Sequence, residues 1–288
     1  MTIGFVIDSA SDIPWEYAKE LGVQVVSLNI TFDDRTFKED EQFDLEAYYA
    51  RFVSDRKFIP KTAQPSPQQF VKAYEALIAE GKNAIVVVTI SSQLSGTYNS
   101  ARLAANFIKS SHLDVPVYLV DSLNASYSEV FILEEGIDLA KQGLPANEIA
   151  TRLQEYVSRV QTRLFLQSLK YLHLGGRISI AKYLLGKFLK KMALVKVNAE
   201  GRNEPYGTVR DTRKGLFALI NDATNNLKLF PRKACIVHTG NEPLATELEQ
   251  LINEILPPLD LRKVLSRTSI SAHTGPHGVA FIADFGAK

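Results

Sequence analysis

A single cysteine, Cys235, in 288 residues excludes an internal disulfide and a cysteine-based zinc site. It lies in the apolar run Ala234-Cys235-Ile236-Val237, and a reducing compartment suits a chain so poor in thiols. Charge of one sign is lacking too. With 33 Lys and Arg against 32 Asp and Glu the net charge is +1, which supplies no broad field for gripping a nucleic-acid backbone. No run approaches the ~20 apolar residues that span a bilayer, and Met1 to Asp8 has no basic start of a secretory signal. A cytoplasmic protein without a nucleic-acid partner is expected. GxGxxG, Walker A, HExxH and GxSxG patterns are all absent. The five histidines are scattered except His273 and His277, which flank Thr274-Gly275-Pro276 and cannot share a helical face. Neither a metal nor a cofactor is therefore expected. Ser54-Asp55-Arg56-Lys57 has bare SxxK spacing without its companion motifs and reads as a helix end.

What is present is an ordinary globular composition, 45% hydrophobic and 23% charged, at a length that suits two domains. Short β-rich runs alternate with helical patterns through the first half, as in a parallel α/β sheet. Ile3 to Asp8, Val23 to Phe32, Ala84 to Ile90 and Val115 to Val120 read as strands. Pro14 opens a helix that Gly22 ends, an acidic loop precedes a helix from Asp44 to Asp55, and Arg56 to Pro65 reads as loop. Ser66, Pro67 and Gln69 form a capping-box start. Ala84 to Ile90 is apolar without alternation, the pattern of a central strand covered on both faces. After a helical pair at Ser128 to Gln142 and Pro145 to Val160 the rhythm changes. Arg163 to Ser168, Ala193 to Asn198, Asn203 to Arg210, Ala234 to His238, Arg262 to Ser266 and Val279 to Phe285 read as strands of a mixed or antiparallel sheet. The turn Ala199-Glu200-Gly201-Arg202 joins two of them as a hairpin. The expected class is α/β, with an N-terminal parallel-sheet α/β domain over 1–160, a C-terminal α+β domain over 161–288, and a ligand cleft between them.

Three early strands end in loops rich in Asp and Ser, outside the carboxyl ends of a parallel sheet, where open α/β sheets bind ligands. Ser91 to Thr97 offers four hydroxyls and a glycine ahead of a helix, which suits capping that helix and binding an anion equally well. Lys61-Thr62-Ala63-Gln64-Pro65-Ser66-Pro67 is a rigid extended loop that can aim Thr62 into a cleft. Together with Asp8-Ser9-Ala10-Ser11-Asp12-Ile13-Pro14, Asp121-Ser122, Leu169 to Ser179 and Ala272-His273-Thr274-Gly275-Pro276, these loops form a succession that closely resembles the DegV family over nearly the whole chain. The Lys-Thr-x-Gln-Pro-Ser and Ser-x-Leu-Ser-Gly-Thr pieces are the most diagnostic, and both are intact.

The resemblance implies a bacterial fatty-acid-binding protein that buries an acyl chain between two domains and presents the acid to a separate kinase for acyl-phosphate formation. It would be a carrier and not an enzyme. Thr62 and Ser95 match the family residues that hold the carboxylate; Ser92, Arg177 and His273 match nearby polar positions. Ser126-Tyr127-Ser128-Glu129-Val130 is bulkier than the family pattern, and the His273 loop is short. The alternative is an enzyme, a serine-dependent hydrolase using Ser95 or a kinase-like protein acting on a small hydroxylated substrate, although no base, nucleophile elbow or phosphate loop is visible for either. Finally, Ile180, Leu184, Phe188 and Met192 form an apolar stripe in Ser179 to Met192, with Lys182, Lys187, Lys190 and Lys191 mostly off it. That basic amphipathic segment is expected to cover the pocket and touch an anionic membrane surface or an acidic partner.

Overall fold

The computed structural model describes residues 2–55, 57–111, 115–178, 191–227 and 229–286. Strand β1, Ile3–Asp8, pairs in parallel with β2, Gln24–Val26. The chain then leaves this sheet for a small antiparallel one made of β3, Asn29–Phe32, β4, Arg35–Lys38, and β5, Lys61–Ala63, in the order β4-β3-β5. It returns in β6, Ala84–Thr89, and β7, Val117–Asp121, which complete a parallel sheet of order β2-β1-β6-β7. Val23 to Phe32 is therefore two strands in two sheets, and the acidic loop and Lys61 to Ala63 are paired strand. Asp33 and Asp34 explain the difference. Both take left-handed backbone, with φ of 50° and 56°, and so make the two-residue turn that matches strand twist in a hairpin.

β6 is buried along its whole length, as its unbroken apolar run requires. Ile85 and Val87 face helices Pro67–Ala79 and Thr97–Ser110 through Phe70, Tyr74, Leu77, Ala101 and Ile108. Val86 and Val88 face the opposite way, into the core formed by helices Ser128–Lys141 and Ala146–Tyr156. The capping box at Ser66 is made, with the Gln69 side chain accepting from the Ser66 amide at 2.9 Å.

The second sheet comprises β8, Val160–Leu166, β9, Met192–Val197, β10, Asn203–Val209, β11, Lys233–His238, β12, Asp260–Leu265, and β13, Val279–Asp284, in the order β10-β9-β8-β13-β11-β12. It is mixed: β11 and β12 run parallel and the other neighbours antiparallel. One face packs on helices Thr212–Leu227 and Glu242–Ile255, where Phe165, Ile236 and Phe281 meet Leu216, Leu219 and Leu248. The other face, carrying Leu164, Val195, Cys235 and Ile282, joins the same core cluster as Val86 and Val88. The helix pair 128–141 and 146–156 is thus a shared layer between two sheets, giving a two-domain α/β fold with continuous packing. Of Ser179 to Met192, only Lys191 and Met192 are described, and Met192 opens β9; the rest of that amphipathic segment lies outside the described residues.

Glu134 fastens this shared layer to the second sheet. It is 6% exposed and accepts from Tyr17 Oη at 2.6 Å, from Lys233 Nζ at 2.7 Å and from Arg262 Nη1. Removing it takes away the Lys233 ion pair and leaves Arg262 with Asp260 alone, and losing one partner of a buried ion network costs about 3 kcal/mol or more. Glu134→Ala should lower stability by that amount in urea unfolding followed by circular dichroism, whereas a loss under about 1 kcal/mol would show that the network does not tie the layers.

Candidate functional site

Where the shared helices stop covering the second sheet, a narrow, largely apolar cavity of about 70 Å³ lies between that sheet and the loops of the first domain. Leu164, Leu166, Val197, Val237, Val279 and Ala280 form its sheet wall. Ala10, Leu28, Ile90, Leu94 and Ala125 come from the opposing loops. The alternation of β8, with Leu164 and Leu166 toward the cavity and Phe165 toward the outer helices, follows from the two-residue period of a strand.

Four of the five site residues expected from sequence line this cavity: Thr62, Ser95, Arg177 and His273. They come from four separate segments. Thr62 is the middle residue of β5, paired with Ile30, so sheet register fixes its direction. Ser95 stands just before helix Thr97–Ser110, where its Oγ accepts from the Thr97 amide at 3.3 Å and lies 2.8 Å from Thr97 Oγ1. His273 is on the short helix Thr268–Thr274, with Nε2 2.7 Å from Thr62 Oγ1. Arg177 follows helix Lys170–Leu174 and donates from Nε to Leu94 O at 3.0 Å and from Nη1 to Gly175 O. Ser92 is the exception. It is exposed, its amide donates to Asp121 Oδ1 at 3.1 Å, and it is not part of the cavity wall.

Burial, helped by the nearby Arg177 charge, pushes the His273 imidazole down to about 4, so the ring is neutral at physiological pH. Its Nδ1 is buried without a hydrogen-bond partner among the described residues. An orphan lone pair costs less than an orphan N–H, which favours the tautomer protonated at Nε2. In that form the ring donates to Thr62 Oγ1, and the threonine O–H remains available to an acceptor in the cavity. Gly175 makes room for this ring. A Cβ there would stand 2.1 Å from His273 Nδ1, and the following Gly176 takes φ of 73°. Gly175 is therefore a packing requirement of the imidazole, and Gly176 meets a backbone requirement of the turn ahead of Arg177.

Other polar loops highlighted by sequence serve the joint between the domains. Asp8 accepts from the Ala10 and Ile90 amides, both at 2.9 Å, and so closes the end of the parallel sheet. Asp12 accepts from Ser126 Oγ, from Ser266 Oγ at 3.3 Å and from the Arg267 amide. Burial raises both carboxyls to about 7. Glu39 takes Ser9 Oγ, Thr268 Oγ1 and the Ser269 amide, at 2.5 to 2.6 Å, so the first domain caps the helix that carries His273. Tyr48 Oη lies 3.1 Å from Ser271 Oγ, and Tyr49 donates to Ser266 O at 2.8 Å. On the other side Ser91 Oγ donates to Gly201 O at 2.8 Å; Gly201, with φ of 80°, is the tip of the anticipated β9–β10 hairpin. A Cβ on Gly201 would come within 2.3 Å of that Ser91 oxygen. Sequence reasoning missed Gln64, Thr162, Asn203, Thr239, Ser269 and Thr274 as cavity residues. For Thr162 a signal existed, a hydroxyl on the apolar face of a strand pattern; for the others, position in the tertiary fold decides.

The descriptions of known proteins agree with this architecture. A family model described as an uncharacterised protein of the DegV family matches residues 2–284. A protein of Thermotoga maritima named fatty acid-binding protein is 30% identical over 293 aligned residues, covering 98% of this chain and 97% of that protein. A crystal structure of a DegV lipid binding protein from the same organism superimposes over the whole of both chains with a TM-score of 0.89 at 27% identity. The fatty acid kinase (Fak) B3 protein of Streptococcus pneumoniae, loaded with linoleic acid, shares the fold at 24% identity, with a TM-score of 0.84 over 99% of this chain and 100% of that one. The two Thermotoga maritima proteins are described as fatty-acid-binding and lipid-binding. With its model matched from the second residue almost to the last, and with the same two-sheet architecture, the chain belongs to the DegV family.

Proposed function

We propose that this chain binds a long-chain fatty acid, holds its carboxylate at Thr62 and Ser95, and buries the acyl chain in the cavity between the domains. The observation that carries this reading is the convergence of Thr62, Ser95, Arg177 and His273 in one otherwise mostly apolar cavity. Hydroxyl donors and the Arg177 charge can hold a carboxylate, with His273 orienting the Thr62 hydroxyl. Each buried methylene adds about 0.8 kcal/mol, so the tail supplies most of the affinity and the head group sets direction. The DegV relatives described as fatty-acid-binding or lipid-binding support the ligand class. The fold shared with the fatty acid kinase B3 protein supports presentation of the acid to a kinase that forms the acyl phosphate. The hydrolase reading has no such support. Ser95 Oγ is paired with Thr97, and the imidazole that would serve as base is bonded to Thr62.

Titration of the delipidated protein with saturated acids of decreasing length should weaken binding by just under fourfold per methylene; a flat dependence would place the tail in solvent. Thr62→Val and Ser95→Ala should each weaken binding by about fivefold or more, because a buried carboxylate loses a donor. Unchanged affinity in both folded variants would remove the carboxylate from these residues.

The imidazole carries its own test. With its folded value depressed to about 4, against 6.5 for a free histidine, the unfolded chain takes up a proton that the folded chain refuses. The neutral ring's contribution to stability is thus present above about pH 6.5 and lost as pH falls toward 4. The stability difference between the wild type and His273→Gln should shrink over that interval. A difference that stays constant or grows on acidification would contradict a buried neutral His273.

A further inference from the structure

Resting on the fatty-acid reading above, we infer that the side-chain amide of Gln64 is a further donor to the carboxylate at the mouth of the cavity, and that Gly96 makes room for this amide beside Ser95. Gln64 lines the cavity, is exposed to solvent, and its side chain has no hydrogen-bond partner among the described residues. Its donors are free for a ligand.

Two constraints aim the amide at the head group. Thr62 and Gln64 stand two residues apart on the extended segment that begins with β5, and the two-residue period puts both on the cavity face, about 7 Å apart. From the other side, the three atoms nearest a Cβ built on Gly96 all belong to Gln64, with Nε2 at 3.0 Å and Cδ at 3.1 Å. Gly96 itself has φ of −75°, which any residue adopts, so its missing side chain serves this close approach and not a turn. Ser95 is its immediate neighbour in the chain. The amide thus joins the two segments that carry Thr62 and Ser95.

The chemistry suits a carboxylate. An ionised carboxyl group accepts at about four lone-pair positions, and the hydroxyls of Thr62 and Ser95 fill two of them. A glutamine amide adds two N–H donors without adding a charge. The other amide of the wall is engaged, because Asn203 Nδ2 donates to Arg177 O at 3.2 Å. Thr62 and Ser95 are half-buried whereas Gln64 is exposed, which places Gln64 at the outward carboxylate oxygen, the one reachable from solvent.

Calorimetric titration of the delipidated full-length protein with stearic acid tests this directly. Gln64→Ala should bind about fivefold more weakly than the wild type, the loss of one net hydrogen bond, and by the same factor for shorter saturated acids because the loss lies at the head. Gln64→Glu keeps the size of the side chain but sets an anion against the carboxylate, so it should weaken binding at least as much. Gly96→Ala should also weaken binding by displacing the amide, yet have no further effect when added to Gln64→Ala. If Gln64→Ala or Gln64→Glu binds as the wild type does, or if Gly96→Ala costs as much without the Gln64 amide as with it, the inference is wrong while the wild-type titration keeps the fatty-acid reading. If the wild type binds no acid, both fall together. Should Gly96→Ala fail to fold, the two variants at the exposed Gln64 still decide the outcome.

Discussion

The helix pair 128–141 and 146–156 must satisfy two sheets at once, and most of the architecture follows from that constraint. A sheet face left uncovered exposes apolar surface, and here one helical layer covers the inner face of the parallel sheet and part of the inner face of the mixed sheet. It cannot cover all of the second. The uncovered part, with Leu164, Leu166, Val237 and Ala280, is roofed by loops at the carboxyl ends of the parallel strands, and the space between is the cavity. A cavity therefore arises where the shared layer ends, and its walls are apolar because they are the continuation of a core.

Acidic groups do the mechanical work around that space while the cavity itself carries almost no charge. Asp12 and Glu39 take hydroxyl and amide donors from the 266–269 segment, which fixes the helix bearing His273 against the first domain. Placing these carboxylates behind the wall keeps them from repelling an anion in front of it. The polar groups facing the cavity are mostly short hydroxyls and one neutral imidazole, with Arg177 the one cation among the described lining residues.

Much of this was legible in the sequence. Ala84 to Ile90 showed its central place through unbroken apolarity, Ser66 and Gln69 showed a helix start, and Gly201 showed a hairpin tip. Thr62, Ser95, Arg177 and His273 were recognisable through motif resemblance, and they share one cavity. Local patterning did not reveal which loops face a ligand and which face the other domain. Asp8 and Asp12 look like site residues in sequence, yet their carboxylates are occupied by backbone amides and serines. The Asp33-Asp34 turn was hidden because two acidic residues in left-handed backbone leave no glycine to mark it. Ser269 and Thr162 stand out as cavity residues only once the fold is known.

Intact mass measurement of the protein purified from a bacterial host, first under native and then under denaturing conditions, tests the central claim most directly. The account predicts a native mass raised by one long-chain acid and a return to the polypeptide mass on denaturation. A covalent acyl adduct that survives denaturation would contradict the carrier reading. So would a protein that stays at its polypeptide mass under native conditions even after incubation with excess fatty acid.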